Sequence, residues 1–553
     1  MDQAGGNARK KGNRGDRRKR LRVDKGKGAR EGEHGALRRV RTWAGKPWSV
    51  PLVLGLVAAG LCGLFFNPLL STIGDNAQYV VLGKSLLAGK GLSHINSPDQ
   101  KPDMKYPFMF PLILAAVMAV SRESLMALKL VGVVACVGAA ALYYPVFRKG
   151  SEPVVAVGAA VLAVLSPDIL CHSSIILAEV PYLFVSFLAL GWIALGEDRW
   201  PERVWVPVAL ALVMTAYYLK AVGIALAAGV FLVLLFRRKT KWAFGFIGGV
   251  VLLALPWALR SHRIGGGQTY FDYFLMKDPY KPYEGMLSAV DFLSRIGGNA
   301  KIYFYQIVPQ TLVPFTGAEG ASPGPAVQLL WLVVSSLTAV GLAYRLLRHR
   351  TVADLYLLGF LGICAVWPSV WASVRFIVPV IPLLFFCLLT GLWAILSWFT
   401  RRGWKGMQEG VVAGLAAVMV MGTLLADRAE ARAGRGYSPD WKSYFNAAFW
   451  ARDETPAGSV FVCRKPYLFY LTSGRRAMGY KFSKDPQEVV GGFREVGATH
   501  IVVDQFQWTG TSARYLVPAI LSDPDKFPVV HVTEQEPRTI VMRFMDWEGE
   551  EEP

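Results

Sequence analysis

The 553-residue chain is 53% hydrophobic, only 18% charged, and carries a net charge of +20. A soluble chain of this length divides into domains with far more surface charge, so this balance excludes an ordinary soluble multidomain protein. Apolar runs near the roughly 20 residues needed to cross a bilayer recur from about residue 48 to residue 426, and they make the chain a polytopic α-helical membrane protein.

Residues 1–46 hold 16 Lys and Arg against 5 Asp and Glu, with almost no apolar content. Such a segment is predicted to be disordered. It is too polar and too long, ahead of a full-length apolar run, for a cleaved signal peptide. Beside a span it reads as a basic cytoplasmic tail lying on anionic lipid rather than as a nucleic-acid binder, so no nucleic-acid partner is expected. The six cysteines, Cys62, Cys136, Cys171, Cys364, Cys387 and Cys463, show neither a zinc spacing nor a disulfide framework.

Basic clusters at Arg148-Lys149, 237–241, 345–350 and 401–405 punctuate the apolar runs. If all face the cytoplasm with the tail, the spans between them come in even numbers. Eleven spans result: 48–70, 125–147, 153–171, 180–196, 204–219, 221–236, 243–259, 326–345, 351–370, 374–399 and 409–426. The run 106–120 would break this parity. It is short and carries Pro107 and Pro111, so it is read as a re-entrant or membrane-lying helix. A cytoplasmic N-terminus, extracytoplasmic loops at about 71–124 and 260–325, and an extracytoplasmic region from 427 onward follow. The domains are therefore 1–46, 47–426 and 427–553. The setting is a cell membrane, inner or plasma.

In that frame Asp75, Lys105, Glu179, Lys220, Arg260, His262, Arg263 and Arg375 fall at or near the extracytoplasmic ends of spans. Ionisable residues in apolar sequence are costly, and several at one level point to one site; singly, each Lys or Arg is equally explained by snorkelling. Asp75 opens "GDNAQYVVLGKSLLAGKGL", in which Tyr79, Leu82 and Leu86 recur at helical spacing and Gly89 and Gly91 close the run. An N-cap and a chemical role are both open to Asp75.

This stretch, followed by "KYPFMFPLILA", resembles the first outer loop of the GT-C glycosyltransferases that use polyprenyl-phosphate sugars. These include protein O-mannosyltransferases, the lipid A aminoarabinose transferase and lipopolysaccharide sugar transferases. "SPDILCHSSIILAEVPYLF", "AYYLKAVGIALA", "LPWALRSHRIGG" and "VRFIVPVIPLLF" resemble further elements of that family in the same order. Lys220 stands where Arg is more usual. The resemblance spans about residues 48–426 and implies transfer of a sugar from a polyprenyl-phosphate donor to a hydroxyl on a glycolipid, polysaccharide or protein acceptor, outside the membrane and among its lipids.

For such a transfer a phosphate leaving group needs cations, and the attacking hydroxyl needs a base. Asp75 is the implied base. Arg375 and Lys220 would hold the phosphate, with Lys105, Tyr79, Tyr106 and Arg260 as further substrate-binding residues and Glu179 orienting acceptor or sugar. Some relatives carry two adjacent acids in the first loop, whereas Asn76 follows Asp75 here; no metal or other cofactor is expected. A transporter or flippase of an amphiphilic glycolipid is the alternative, although no duplicated half with matched broken helices is visible. A non-catalytic receptor would not need acids and cations gathered at one level. Within 427–553, strands are predicted at 459–463, 500–504, 528–532 and 539–544, with helices over 440–454 and 485–497, making a small α/β domain. Asp504 at a strand end is read there as a turn residue.

Overall fold

A computed structural model describes residues 48–264, 270–316, 323–399, 404–433 and 436–545. The predicted basic tail, 1–46, lies outside the described residues. Residues 54–553 form one compact unit.

A helix stands at each of the eleven predicted spans. Seven are long and apolar enough to cross a membrane: Leu125–Arg148, Glu179–Arg199, Glu202–Leu219, Thr240–Ile264, Pro325–Arg348, Val374–Phe399 and Lys405–Ala426. An eighth is broken, with Pro153–Val164 and Pro167–Ser173 meeting at 47°. Pro167 causes the break, because it cannot donate to the helical ladder and forces Ser166 into extended backbone. Ser49–Phe65, Ala221–Phe236 and Val352–Val366 are shorter apolar helices, as is Met109–Ser121, the segment that parity set aside. The core spans are apolar on most faces, as helices buried among helices or in lipid must be.

Two close approaches set the helix packing. A Cβ on Gly341 would fall 1.8 Å from the Cys387 carbonyl oxygen, and one on Gly391 would fall 2.0 Å from that of Leu337. The helices Pro325–Arg348 and Val374–Phe399 therefore touch backbone to backbone, the contact that small residues permit between membrane helices. Gly132 does the same against the Ser173 carbonyl, at 2.3 Å. That contact holds the broken helix against Leu125–Arg148, and the fully buried Lys129 adds a hydrogen bond from Nζ to the Ser174 carbonyl at 2.7 Å.

One turn beyond Gly341, Arg345 and Asp354 form a buried ion pair at 2.5 Å, with the guanidinium 4.2 Å over the Phe386 ring. Asp354 also closes a capping box with Thr351 at the start of Val352–Val366. Part of the basic cluster 345–350 is thus internal structure rather than a face for lipid headgroups.

The C-terminal region carries a five-stranded mixed sheet in the order β2-β1-β3-β5-β4. The strands are β1 (Val460–Val462), β2 (Arg476–Met478), β3 (His500–Val503), β4 (Val529–Val532) and β5 (Ile540–Arg543). β1 pairs in parallel with β2 and β3, while β5 runs antiparallel to β3 and β4. The four predicted strands are present. β2 and the helix Pro466–Ser473 went unpredicted, since three residues beginning with an arginine carry no alternating pattern.

This sheet layer is not an isolated appendage. Ala77 of the helix Gly74–Leu87 is buried in the same cluster as Trp441, Tyr444, Phe445 and Phe469. Asn96 exchanges two hydrogen bonds with Ala477, and the Tyr437 hydroxyl donates to the Leu70 carbonyl at 2.8 Å. The loop after Thr240–Ile264 joins it too, where the Tyr515 hydroxyl donates to the Tyr280 carbonyl at 2.7 Å.

Candidate active site

The helix Gly74–Leu87 begins from an extended Ile73, which is its N-cap and offers no side-chain cap. Asp75 is therefore not the cap. It lies inside the first turn, where its charge complements the exposed N–H groups, and both its oxygens point to cations. Oδ1 accepts from Lys105 Nζ at 3.0 Å, and Oδ2 accepts from Arg375 Nη2 at 2.7 Å.

Arg375 is a bridge between two carboxylates. Its Nε donates to Glu179 Oε1 at 2.7 Å, and the same oxygen accepts from Lys220 Nζ at 2.9 Å. Five elements meet here, the Asp75 helix among them. Glu179 starts the helix Glu179–Arg199, directly after the broken helix. Lys220 occupies the turn between Glu202–Leu219 and Ile224–Phe236, in extended backbone with φ −154°. Arg375 belongs to the short helix Val374–Ile377 ahead of Pro379, and Lys105 comes from the first loop. The cluster is graded in depth, with side-chain exposure of 1% at Glu179, 21% at Arg375, 26% at Asp75 and 40% at Lys105.

Aromatic rings line the cluster. Tyr106 packs on Tyr79 at 4.3 Å and lies under Lys105 Nζ at 4.6 Å, and Tyr79 meets Phe110 edge-on at 4.9 Å. Phe376 lies 5.5 Å from Lys220 Nζ and 5.9 Å from the Arg375 guanidinium. Burial pushes the Asp75 carboxyl up, but Lys105 and Arg375 outweigh burial and hold it well below the usual carboxylate range. Burial, with the Asp75 charge added, drives the Tyr106 hydroxyl well above the ordinary phenol range.

The structure thus brings Asp75, Tyr79, Lys105, Tyr106, Glu179, Lys220 and Arg375 into one cluster. Arg260 is set apart from it. Its Nη1 donates to the Asp103 carbonyl at 3.0 Å and its guanidinium lies 4.7 Å from the Trp257 ring, so it braces the loop that carries Lys105. His262 and Arg263 are exposed at the end of their helix.

Sequence reasoning passed over Asp103, which is fully buried and organises that loop. It accepts from Gln78 Nε2 and from the Tyr106 backbone N–H, both at 2.9 Å, and lies 3.3 Å from His94 Nε2. Its signal was weak, one of two acids, with Asp99, in a Pro-containing loop. Asp504 is buried, accepts from the Ser512 hydroxyl at 2.8 Å, and is held above the usual carboxylate range by burial. It acts within the C-terminal sheet and not at the cluster.

A cavity of about 460 Å³ lies beneath segment 64–72, lined by Asn67, Lys129, Ser174 and Trp441 among others. None of the sequence-predicted site residues lines it. Among the described residues no three His, Cys, Asp or Glu side chains converge. Asp75 and Glu179 are already shared among three cations, so this donor set does not fit a divalent metal.

No family model matches the sequence, and no curated protein matches it. Solved structures do. The apo oligosaccharyltransferase of Archaeoglobus fulgidus superposes with a TM-score of 0.58 at 13% identity, over 92% of this chain and 76% of that one. ArnT from Cupriavidus metallidurans, bound to undecaprenyl phosphate, superposes with a TM-score of 0.54 at 13% identity, over 89% and 97%. Its apo form gives 0.53 at 15% identity, over 92% and 98%. The chain has the GT-C fold. Within that fold the cluster around Arg375 sits where the first loop, the broken helix and the C-terminal sheet layer converge. A further structure of the archaeal protein was solved with zinc and sulfate.

Proposed function

We propose that the chain is an integral membrane glycosyltransferase. It moves a sugar from a polyprenyl-phosphate-linked donor to an acceptor hydroxyl on the extracytoplasmic side. The observation that carries this reading is the Asp75–Arg375–Glu179 bridge, flanked by Lys105 and Lys220, at one end of a bundle of apolar helices. Two solved structures with this fold support the donor class: the ArnT structure holds undecaprenyl phosphate, and an archaeal oligosaccharyltransferase complex holds a dolichol-phosphate and an inhibitory peptide.

Arg375 has five N–H donors, of which the carboxylates use two, so its remaining donors face a phosphate without displacing Glu179. Glu179, fully buried, fixes Arg375 and Lys220 in place. A donor phosphate competes with Asp75 for Arg375 and Lys105. As it takes them, the forces holding the Asp75 carboxyl low are relieved and its basicity returns toward the ordinary range. Donor binding therefore arms the base. The acceptor O–H then gives its proton to Asp75 as its oxygen attacks the anomeric carbon. The bond from that carbon to the phosphate oxygen breaks, and the electron pair leaves with the polyprenyl phosphate in an inverting displacement.

The test is to incubate the purified full-length chain in liposomes with labelled polyprenyl-phosphate sugars and membrane-extracted acceptors, following free lipid phosphate. Release by the wild type, slowed about 100-fold or more in Asp75→Asn, is expected. Translocation of the intact donor without release would overturn the reading in favour of a transporter.

A further inference from the structure

The three cations of the cluster are already engaged. Lys105 pairs with Asp75, Lys220 with Glu179, and Arg375 with both. Counted together they leave one net positive charge. A phosphodiester donor carries one negative charge, whereas the lipid phosphate that departs carries close to two at neutral pH. With Asp75 ionised these five side chains match the diester and fall one charge short of a lipid phosphate dianion, and the proton Asp75 takes from the acceptor makes up that charge only while it stays on Asp75.

A fourth cation comes from the outer sheet layer. β1 is followed by buried Cys463, then Arg464 and Lys465, and Pro466 starts the next helix. Arg464 is committed elsewhere: its Nε donates to Thr511 Oγ1 at 2.7 Å, and its guanidinium lies within 5.7 Å of the Tyr280, Phe482 and Trp508 ring centres. Lys465 turns the other way. Its Nζ is 3.2 Å from where a Cβ on Gly74 would sit, next to Asp75, and 4.4 Å from the Trp508 ring centre. Among the described residues no carboxylate lies within ion-pair distance of Lys465, although the half-buried side chain is in reach of the charges on Asp75, Lys105 and Arg375.

Resting on the glycosyltransferase reading, we propose that Lys465 is a further substrate-binding residue, delivered by the outer layer, that meets the second negative charge developing on the phosphate as the sugar leaves. An interaction stronger with the departing dianion than with the bound diester lowers the barrier rather than merely tightening binding. A Cβ at 74 would stand 3.2 Å from this ammonium, tighter than ordinary van der Waals contact, so the bare glycine leaves Lys465 its place beside the cluster. Burial, then repulsion from Arg464, brings the Lys465 ammonium down to about 8. The groups facing it are Arg464 on its own segment, Asp75 on the first-loop helix, Lys105 on the first loop and Arg375 on the last outer turn. Its charge is present below that pH and lost above it.

The experiment compares wild type, Lys465→Met and Lys465→Arg, each as the full chain in detergent. Binding of undecaprenyl phosphate and of an undecaprenyl-phosphate sugar is measured separately. Lys465→Met is expected to weaken the dianionic lipid phosphate about tenfold or more and the diester less than about threefold, with kcat lowered about 10–100-fold. Lys465→Arg keeps both affinities. In the wild type, affinity for undecaprenyl phosphate falls as pH rises through about 8, and in Lys465→Arg it does not. Equal loss for both lipids, no loss for either, or an Arg variant as impaired as Met overturns the proposal. If the wild type releases no lipid phosphate from any donor but shows this binding contrast, the glycosyltransferase reading falls and the Lys465 phosphate site stands.

Discussion

Asp75 and Glu179 share Arg375, yet the two carboxylates are built for different work. Asp75 is partly open, inside a helix turn, and held low by two cations that a ligand can take away. Glu179 is closed off and holds Lys220 and Arg375 permanently. Asp75→Asn is therefore expected to fold normally and to bind donor at least as well as the wild type, because it frees Lys105 and Arg375. It should transfer sugar about 100-fold or more slowly, the usual loss for a general base. Near wild-type transfer in that variant would return Asp75 to a role in organising the helix start. Glu179→Gln leaves two buried cations with one partner fewer, and should lower stability by about 3–5 kcal/mol. Thermal unfolding of the two purified variants separates them.

Between elements, the tightest junctions are the glycine contacts and the Arg345–Asp354 pair. Arg345→Ala leaves Asp354 buried without its partner and is expected to cost about 3–5 kcal/mol. Arg345→Met combined with Asp354→Leu should recover much of that loss, since an apolar pair of similar volume avoids desolvating two charges. Denaturation midpoints of the single and double variants give the answer, and a double variant no better than the single would make the pair's specific geometry essential. Arg345 also shows where sequence reasoning is limited. A basic cluster between apolar runs reads as a cytoplasmic face, but whether Arg345 meets lipid or the acid nine residues on depends on the next helix's capping box.

Across the whole molecule, the positive-inside argument predicts that a reporter fused after residue 430 is extracytoplasmic and one after residue 240 cytoplasmic. Both reporters on one side would undo the parity count and the placing of the cluster outside. The outer sheet layer packs on the helix that carries Asp75 and on the loop that carries Lys105. Catalytic geometry and docking of that layer are therefore coupled, and a substitution at Asn96 that breaks its exchange with Ala477 is a change at the site as well as at the seam.

The sequence by itself determined the helical membrane architecture, the place of each of the eleven apolar helices and four of the five strands. Long apolar runs and alternating strands are local patterns, written in consecutive residues. It also singled out Asp75, Glu179, Lys220 and Arg375, because charge in apolar sequence is conspicuous. Tertiary structure alone decided which charges meet. That Arg375 reaches both Asp75 and Glu179, that Arg260 braces a loop instead, and that Asp103 and Lys465 belong to the neighbourhood depend on contacts between residues up to hundreds apart. Such pairings follow from how helices cross and layers dock, and the residues themselves carry no periodic mark of it.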